Sequence, residues 1–305
     1  EGRIRDLKNM TVEKKQDLSR EIAELEYEKE KLYEKICSNL SPYDIVKIAR
    51  HPLRPSSVDY IGLIIDGFTE LHGDRRFGDD KAIITGIGTL DNRKVMIIAH
   101  WKGKSTKERI SCNFGMPNPE GYRKALLKMR LADKFNLPII TLIDTPGANP
   151  DIGAEERGQA QAIAENIYTM FRLRTPIISV VIGEGGSGGA LGIGICDRFA
   201  ILQYAYFSVI SPEGCAAILW KHSKYAPEAA KALKLTATEL HELGIVDDII
   251  PEPPGTANRN PKEMAKILKN ELVRYLDELE MIPVDVLLKE RYEKYRKIGV
   301  FFENS

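Results

Sequence analysis

The sequence predicts an α/β domain with helical extensions at both ends. Three observations carry that expectation. Apolar strand-like runs alternate with helix-period stripes at a spacing of roughly 35–40 residues, the length of a βα unit. One of those runs, Pro176–Ile182, opens directly into a glycine-rich segment, Gly183–Gly194. Both ends of the chain are charged and helix-patterned, and neither glycine nor proline occurs between Gly2 and Pro42.

Composition narrows the function. The 305 residues hold 44 Lys plus Arg and 44 Asp plus Glu, so no global basic field exists to attract nucleic acid. Cys37, Cys112, Cys196 and Cys215 are scattered without a C-x-x-C pair. That pattern argues against a zinc ribbon or a disulfide framework and for a reducing compartment. No apolar run has the length of a membrane span. The sequence starts at Glu1 rather than Met, which leaves open a targeting segment ahead of it.

In chain order, Leu18, Ile22, Leu25, Lys29, Leu32 and Ile36 follow a heptad spacing. This seam suits a helix packed on its own domain as well as a coiled coil with a second chain. Ser41-Pro42 opens a short helix, and the prolines at 52 and 55 mark a boundary, giving an N-terminal extension of residues 1–57. Runs 81–88 and 94–100 read as a hairpin turning at Asp91-Asn92. Tyr122, Ala125, Leu126, Met129 and Ala132 form one helical stripe. Strand 138–143 follows and ends at Asp144-Thr-Pro-Gly147. A second stripe comprises Ala160, Ile163, Ala164, Ile167, Met170 and Phe171. Strand 176–182, the glycine segment, strand-like runs 199–202 and 208–210, and a last strand at 247–250 complete a core of residues 58–254. Residues 255–305 read as a C-terminal helical segment with Met264, Ile267, Leu268 and Leu272 on one face.

A strand that ends in glycines and restarts as a helix exposes backbone N–H groups, which suit an anion or a developing oxyanion. Three familiar spellings overlap here. Gly183, Gly185 and Gly188 satisfy G-x-G-x-x-G, but residues 199–210 contain no acid for a ribose. Gly185, Ser187 and Gly189 satisfy G-x-S-x-G, with Asp197 and His222 or His241 in the order a serine hydrolase requires. Gly103-Lys104-Ser105 with Asp144–Gly147 imitates a GTPase, but Ile98 stands where the phosphate loop needs glycine. Lys102, Lys104 and Lys107 form a basic patch, either solvated or facing an acidic or phosphate-bearing ligand.

Six longer segments together carry a family resemblance. They are Arg75–Ala82, Asn113–Ala125, Ile143–Ala148, Gly153–Gln159, Val181–Ala190 and Ser208–Ala216, extended by Ile250–Pro253 and Arg259–Pro261. In sequence and order these resemble the carboxyltransferase alpha subunit of multi-subunit bacterial or plastid acetyl-CoA carboxylase. Asn149-Pro150-Asp151 departs from the family pattern, which has an aromatic followed by Pro-Gly. The resemblance implies a crotonase/ClpP-like core of ββα units coiled into a spiral. It also implies transfer of the carboxyl group from carboxybiotin to acetyl-CoA, giving malonyl-CoA for fatty acid synthesis.

By the same resemblance, the amides of Gly188, Gly189 and Ala190 form the oxyanion hole for biotin. Gly147, Ala148, Gly185, Gly186 and Ser187 bind substrate. No metal is expected in this chain. The implied partners are a zinc-ribbon carboxyltransferase beta subunit in an alpha2beta2 assembly, a biotin carboxyl carrier protein and biotin carboxylase. The implied location is the cytoplasm, or the plastid stroma if a transit peptide has been removed. Two alternatives stand beside this reading: a subunit of another biotin-dependent acyl-CoA carboxylase or decarboxylase, and a serine hydrolase using Ser187. Glu155, Glu156 and Arg157 are expected to cap and charge-balance the helix that follows them.

Overall fold

The computed structural model describes residues 2–14, 17–37 and 39–299. Its centre is one mixed sheet: β1 (Asp66–Glu70), β2 (Ile83–Leu90), β3 (Arg93–His100), β4 (Ile139–Thr145), β5 (Ile177–Gly186), β6 (Arg198–Leu202), β7 (Tyr206–Ser208) and β8 (Asp248–Ile250). The order is β1-β2-β3-β4-β5-β6-β8, with β7 paired to β5. β2 and β3 form the expected hairpin, and Asp91 and Asn92 both take positive φ, 49° and 65°. Two left-handed residues make the tight turn whose twist matches antiparallel strands. From β3 to β8 the pairing is parallel.

β5 is the organising strand. All ten residues are buried, as expected for a strand covered on both faces. Its first half pairs with β6 through Ile178–Val181, and its last three residues pair with β7. The exchange of neighbours lets β5 run on to the glycine turn after β6 has ended. The expected strand at 208–210 is therefore displaced to Tyr206–Ser208, where the partner residues Glu184–Gly186 lie.

The helix Pro119–Lys134 lies across β2 and β3 and packs on the helix Gln159–Met170. Its predicted stripe from Tyr122 to Ala132 is buried throughout. In the stripe of Gln159–Met170, Met170 is buried and Ile163, Ile167 and Phe171 pack half-buried on the core, but Ala160 and Ala164 are exposed and Ala162 and Asn166 are buried in their place. The shift has a polar cause, because Asn166 Nδ2 donates to the Gly192 carbonyl at 2.9 Å.

Both expected flanks contribute to the core. Met264, Leu268, Leu272 and Leu276 of the helix Pro261–Glu280 join the main apolar cluster. Val46 and Ala49 of the helix Pro42–Ala49 are buried with Tyr206 and Leu235. Arg54, in the proline-marked segment, forms a buried pair with Glu252 (2.6 Å) and donates to the Ile182 carbonyl at 2.7 Å. Farther out, the helices Gly2–Lys14 and Ser19–Cys37 pair through Lys8–Glu26 (2.7 Å) and Arg3–Glu21 (3.4 Å). The N-terminal half of the heptad seam is half-buried, whereas Leu32 and Ile36 are exposed.

Near the opposite end of β5, Arg291 of the helix Val284–Arg296 is fully buried against Asp197. It also donates to the carbonyls of Met170, Leu173 and Thr175. Removing one partner of such a pair leaves a buried charge unmatched. Arg291→Ala is expected to lower unfolding stability by about 3–5 kcal/mol, measured by denaturant titration.

Candidate active site

The site forms where the C-terminal ends of β4 and β5 meet. A register shift falls between Ile143 and Thr145, at Asp144. Asp144 Oδ1 there accepts the Glu184 N–H at 2.9 Å, which ties the two strand ends together. Beyond Thr145 the chain enters Pro146–Pro150. Thr145 Oγ1 donates to the Gly115 carbonyl (2.7 Å) and accepts from the Gly147 N–H (3.1 Å), fixing the start of that loop. Gln159 Nε2 donates to the carbonyls of Pro117 and Asn149, and Asn149 Nδ2 donates to Asn118 Oδ1. The segment that departs from the family pattern is thus tied to the neighbouring loop by its own Asn149.

β5 ends at Gly186, and the helix Ser187–Leu191 follows. Ser187 has φ +53°, a left-handed conformation, so the helical backbone begins at Gly188. Gly188 and Gly189 are then in the opening positions of the helix, whose N–H groups have no intrahelical acceptor, and Ala190 follows as its fourth residue. Glycine at 189 has a steric reason. A Cβ there would lie 2.5 Å from the Gly147 carbonyl carbon and 2.6 Å from the Ala148 nitrogen. Backbone therefore packs on backbone, and the two loops sit closer than side chains would permit.

Between them lies a cleft of about 610 Å³. Gly147, Ala148, Ser187 and Gly188 line it, together with Gln159, Ile163 and the Val209–Ser211 wall. Gly185 and Gly186 do not line it. A Cβ on Gly185 would meet the Phe207 ring at 2.5 Å, and one on Gly186 the Pro146 carbonyl oxygen at 2.2 Å, so both serve close packing. Gly189 and Ala190 are buried directly beneath the turn.

Under the turn lies a charge network that the local sequence texture did not reveal. Glu184 accepts from Arg50 Nε (2.6 Å), the Tyr206 hydroxyl (2.6 Å) and Lys102 Nζ (2.5 Å). Lys102 also pairs with Asp144 at 2.6 Å. Burial alone would raise the Glu184 pKa, but the charges of Lys102 and Arg50 prevail and hold it down at about 2. Burial likewise opposes charge on Lys102, and Asp144 and Glu184 outweigh it, so its pKa is raised and it stays protonated. His100 is fully buried nearby. Burial first, and then the Lys102 charge, push its pKa down to about 3, so the ring is neutral.

The expected basic patch therefore divides. Lys102 turns inward to two carboxylates, Lys104 pairs with Asp59, and Lys107 stays exposed. Arg157 pairs with Glu120 of another helix at 2.9 Å and covers the Phe77 ring, rather than balancing the helix that follows it. The hydrolase constellation also separates. Asp197 is bound to the N–H of Ile177 at the start of β5 and to Arg291. Ser187 lies at the other end of β5, ten residues beyond Ile177 and about 30 Å from it at roughly 3.3 Å per strand residue. His222 is exposed, and His241 Nδ1 lies 3.2 Å from the Val246 carbonyl oxygen.

A family profile described as "Acetyl co-enzyme A carboxylase carboxyltransferase-like" matches residues 1–299. A relative from Rhodopirellula baltica, named acetyl-coenzyme A carboxylase carboxyl transferase subunit alpha, is 58% identical over 88% of this chain and 84% of its own. The chain belongs to this family. A subunit of the same name from Methylococcus capsulatus is 54% identical over 99% of this chain and 94% of its own.

Among solved structures, a chain of a Pseudomonas malonate decarboxylase hetero-tetramer superposes with a TM-score of 0.59 at 17% identity, covering 71% of this chain and 86% of its own. The transcarboxylase 12S core gives 0.57 at 22% identity, over 73% of this chain and 44% of its own. These likenesses bear out the crotonase-like carboxyltransferase fold. They also account for the overlapping spellings, since a strand–turn–helix with exposed amides demands glycine whichever fold uses it.

The close approach of Gly189 to the 147–148 backbone has a stability consequence. Gly189→Ala is expected to cost about 1–3 kcal/mol through overpacking, read as a lower midpoint in thermal or denaturant unfolding. Gly188→Ala, whose Cβ meets nothing closer than Ile163 Cδ1 at 3.8 Å, is expected to leave the midpoint unchanged.

Proposed function

We propose that this chain supplies the biotin side of the carboxyl transfer that converts acetyl-CoA to malonyl-CoA. The observation that carries the reading is the cluster of three first-turn amides at Gly188–Ala190, beside a cleft whose other wall is Gly147–Ala148. Carboxybiotin, carried on a partner protein, would supply the carboxyl group, and loss of that group leaves negative charge on the ureido oxygen. The amides of Gly188, Gly189 and Ala190 would donate to that oxygen. They are held rigid before charge develops, which is what makes such donors effective. Losing one donor costs about 2.7–4 kcal/mol of barrier in comparable sites.

The remaining residues have supporting roles. Gly147 and Ala148 shape the facing wall, and Ser187 sets the direction in which the helix departs. Gly185 and Gly186 hold the turn against β7 and Pro146. No side-chain base is needed on this reading, because released biotin can take the methyl proton of the acetyl group. Most of the acyl-CoA pocket would come from a beta subunit, the Malonate-decarboxylase likeness being to one chain of a hetero-tetramer. A biotin carboxyl carrier protein and biotin carboxylase complete the proposed assembly. No helix among the described residues is long and apolar enough to cross a membrane.

Two substitutions test the reading in an assay of the chain with its beta subunit, following carboxyl transfer from malonyl-CoA to biocytin. Gly188→Leu places a bulky side chain at the cleft without a backbone collision. It is expected to lower kcat/KM by about 100-fold while the chain stays folded. Ser187→Gly removes the hydroxyl and suits the left-handed backbone, and is expected to keep full turnover. Loss of activity in Ser187→Gly would return the hydroxyl to the chemistry. Faster turnover of propionyl-CoA than acetyl-CoA in the forward direction would reassign the acyl substrate.

A further inference from the structure

We propose that Arg50 is a positioning residue for the biotin-side turn, holding the two walls of the cleft at a fixed separation. This rests on the functional reading above. Arg50 ends the helix Pro42–Ala49, in a part of the chain that sequence patterning assigned to an N-terminal extension. Its guanidinium reaches two segments of the site at once. Nε donates to Glu184 at 2.6 Å, three residues before the left-handed Ser187. Nη1 donates to Glu213 at 2.8 Å, in the first turn of the helix Pro212–Trp220. That helix is capped by Ser211, which lines the same cleft as Gly188. Nη2 donates to the Tyr206 hydroxyl at 2.8 Å, and that hydroxyl in turn donates to Glu184.

The guanidinium therefore spans the end of β5 on one side and the start of the wall helix on the other. A planar fork with several fixed donors can do this, and a lysine ammonium, a single point charge, cannot hold the same three partners in the same geometry. The network behind the turn has two cations, Arg50 and Lys102, against the carboxylates of Asp144, Glu184 and Glu213. Without Arg50, Glu213 loses its ion pair and keeps the Tyr43 hydroxyl, while Glu184 keeps Lys102 and the Tyr206 hydroxyl. The end of β5 stays tied to β4 through Lys102 and Asp144 and to β7 through the sheet, but the side-chain tie that fixes it to the wall helix is gone. The fold survives because the Arg50 side chain is 30% exposed and packs at the edge of the core.

The test uses the alpha and beta subunits together, with malonyl-CoA and biocytin as substrates. Wild-type transfer to biocytin examines the functional reading, and Arg50→Met examines the inference. The expected result for Arg50→Met is a KM for biocytin raised roughly tenfold or more, with the KM for malonyl-CoA unchanged. Arg50→Lys is expected to recover only part of the loss. An unchanged biocytin KM in Arg50→Met, or equal rises for both substrates, would overturn the positioning role. A second variant, Glu213→Gln, keeps the wall helix uncharged but hydrogen-bonded, and a smaller rise in the biocytin KM than in Arg50→Met is expected. No wild-type transfer to biocytin at all would overturn the functional reading and the inference with it, whereas transfer with wild-type kinetics in Arg50→Met removes the inference alone.

Discussion

The site depends on one contact, the packing of Gly189 against the backbone of Gly147 and Ala148. Two loops from adjacent parallel strands meet there with no side chain between them. A Cβ at this point would require one loop to move, and both loops line the same cleft. The other constraints of the site serve this approach. Asp144 ties the ends of β4 and β5 together, and Gly186 lets Pro146 cross close by. Ser187 accepts a left-handed backbone so that the following amides begin a helix at once. The donors are positioned by covalent geometry and packing rather than by flexible side chains, which is what an oxyanion site requires.

A second layer of order lies beneath the first and is ionic. Lys102, Asp144 and Glu184 are drawn together where three strand ends converge. A buried network of this kind contributes little net stability, since desolvation offsets most of the attraction. Its value is directional. Each carboxylate has a set partner, so the relative rotation of β4, β5 and the segment after β3 is fixed. Arg50 extends the same logic outward to the helix that carries the far wall.

Much of this was legible in the residues. Strand–helix alternation placed β2 to β5 correctly, because apolar runs and stripes are local signals. The glycine turn was legible for the same reason, and missing companion residues removed the dinucleotide and GTPase spellings, whereas only the fold parted Asp197 from Ser187. The ionic network was not legible. Arg50 and Glu184 are 134 residues apart in sequence, and Lys102 and Glu184 are 82 apart. Lys102 stands among other lysines, in a patch that reads as solvated or as facing an acidic or phosphate-bearing ligand. Nothing in its neighbours says that two carboxylates from later strands will close over it. The roles of Gly185 and Gly186 also needed the fold, since the ring of Phe207 and the carbonyl of Pro146 that exclude a side chain come from other segments.

On the proposed reading, the backbone N–H groups of Gly188–Ala190 hold the developing negative charge on biotin. Replacing Gly189 by glycolic acid through nonsense suppression removes one N–H, substitutes an ester oxygen, and leaves every side chain in place. Gly189 is the third residue of the helix Ser187–Leu191, so no intrahelical hydrogen bond is lost. Carboxyl transfer to biocytin by the assembled alpha and beta subunits should then fall by about 10²–10³ in kcat, as for loss of one oxyanion donor. A well-folded ester variant with unchanged kcat would contradict the account.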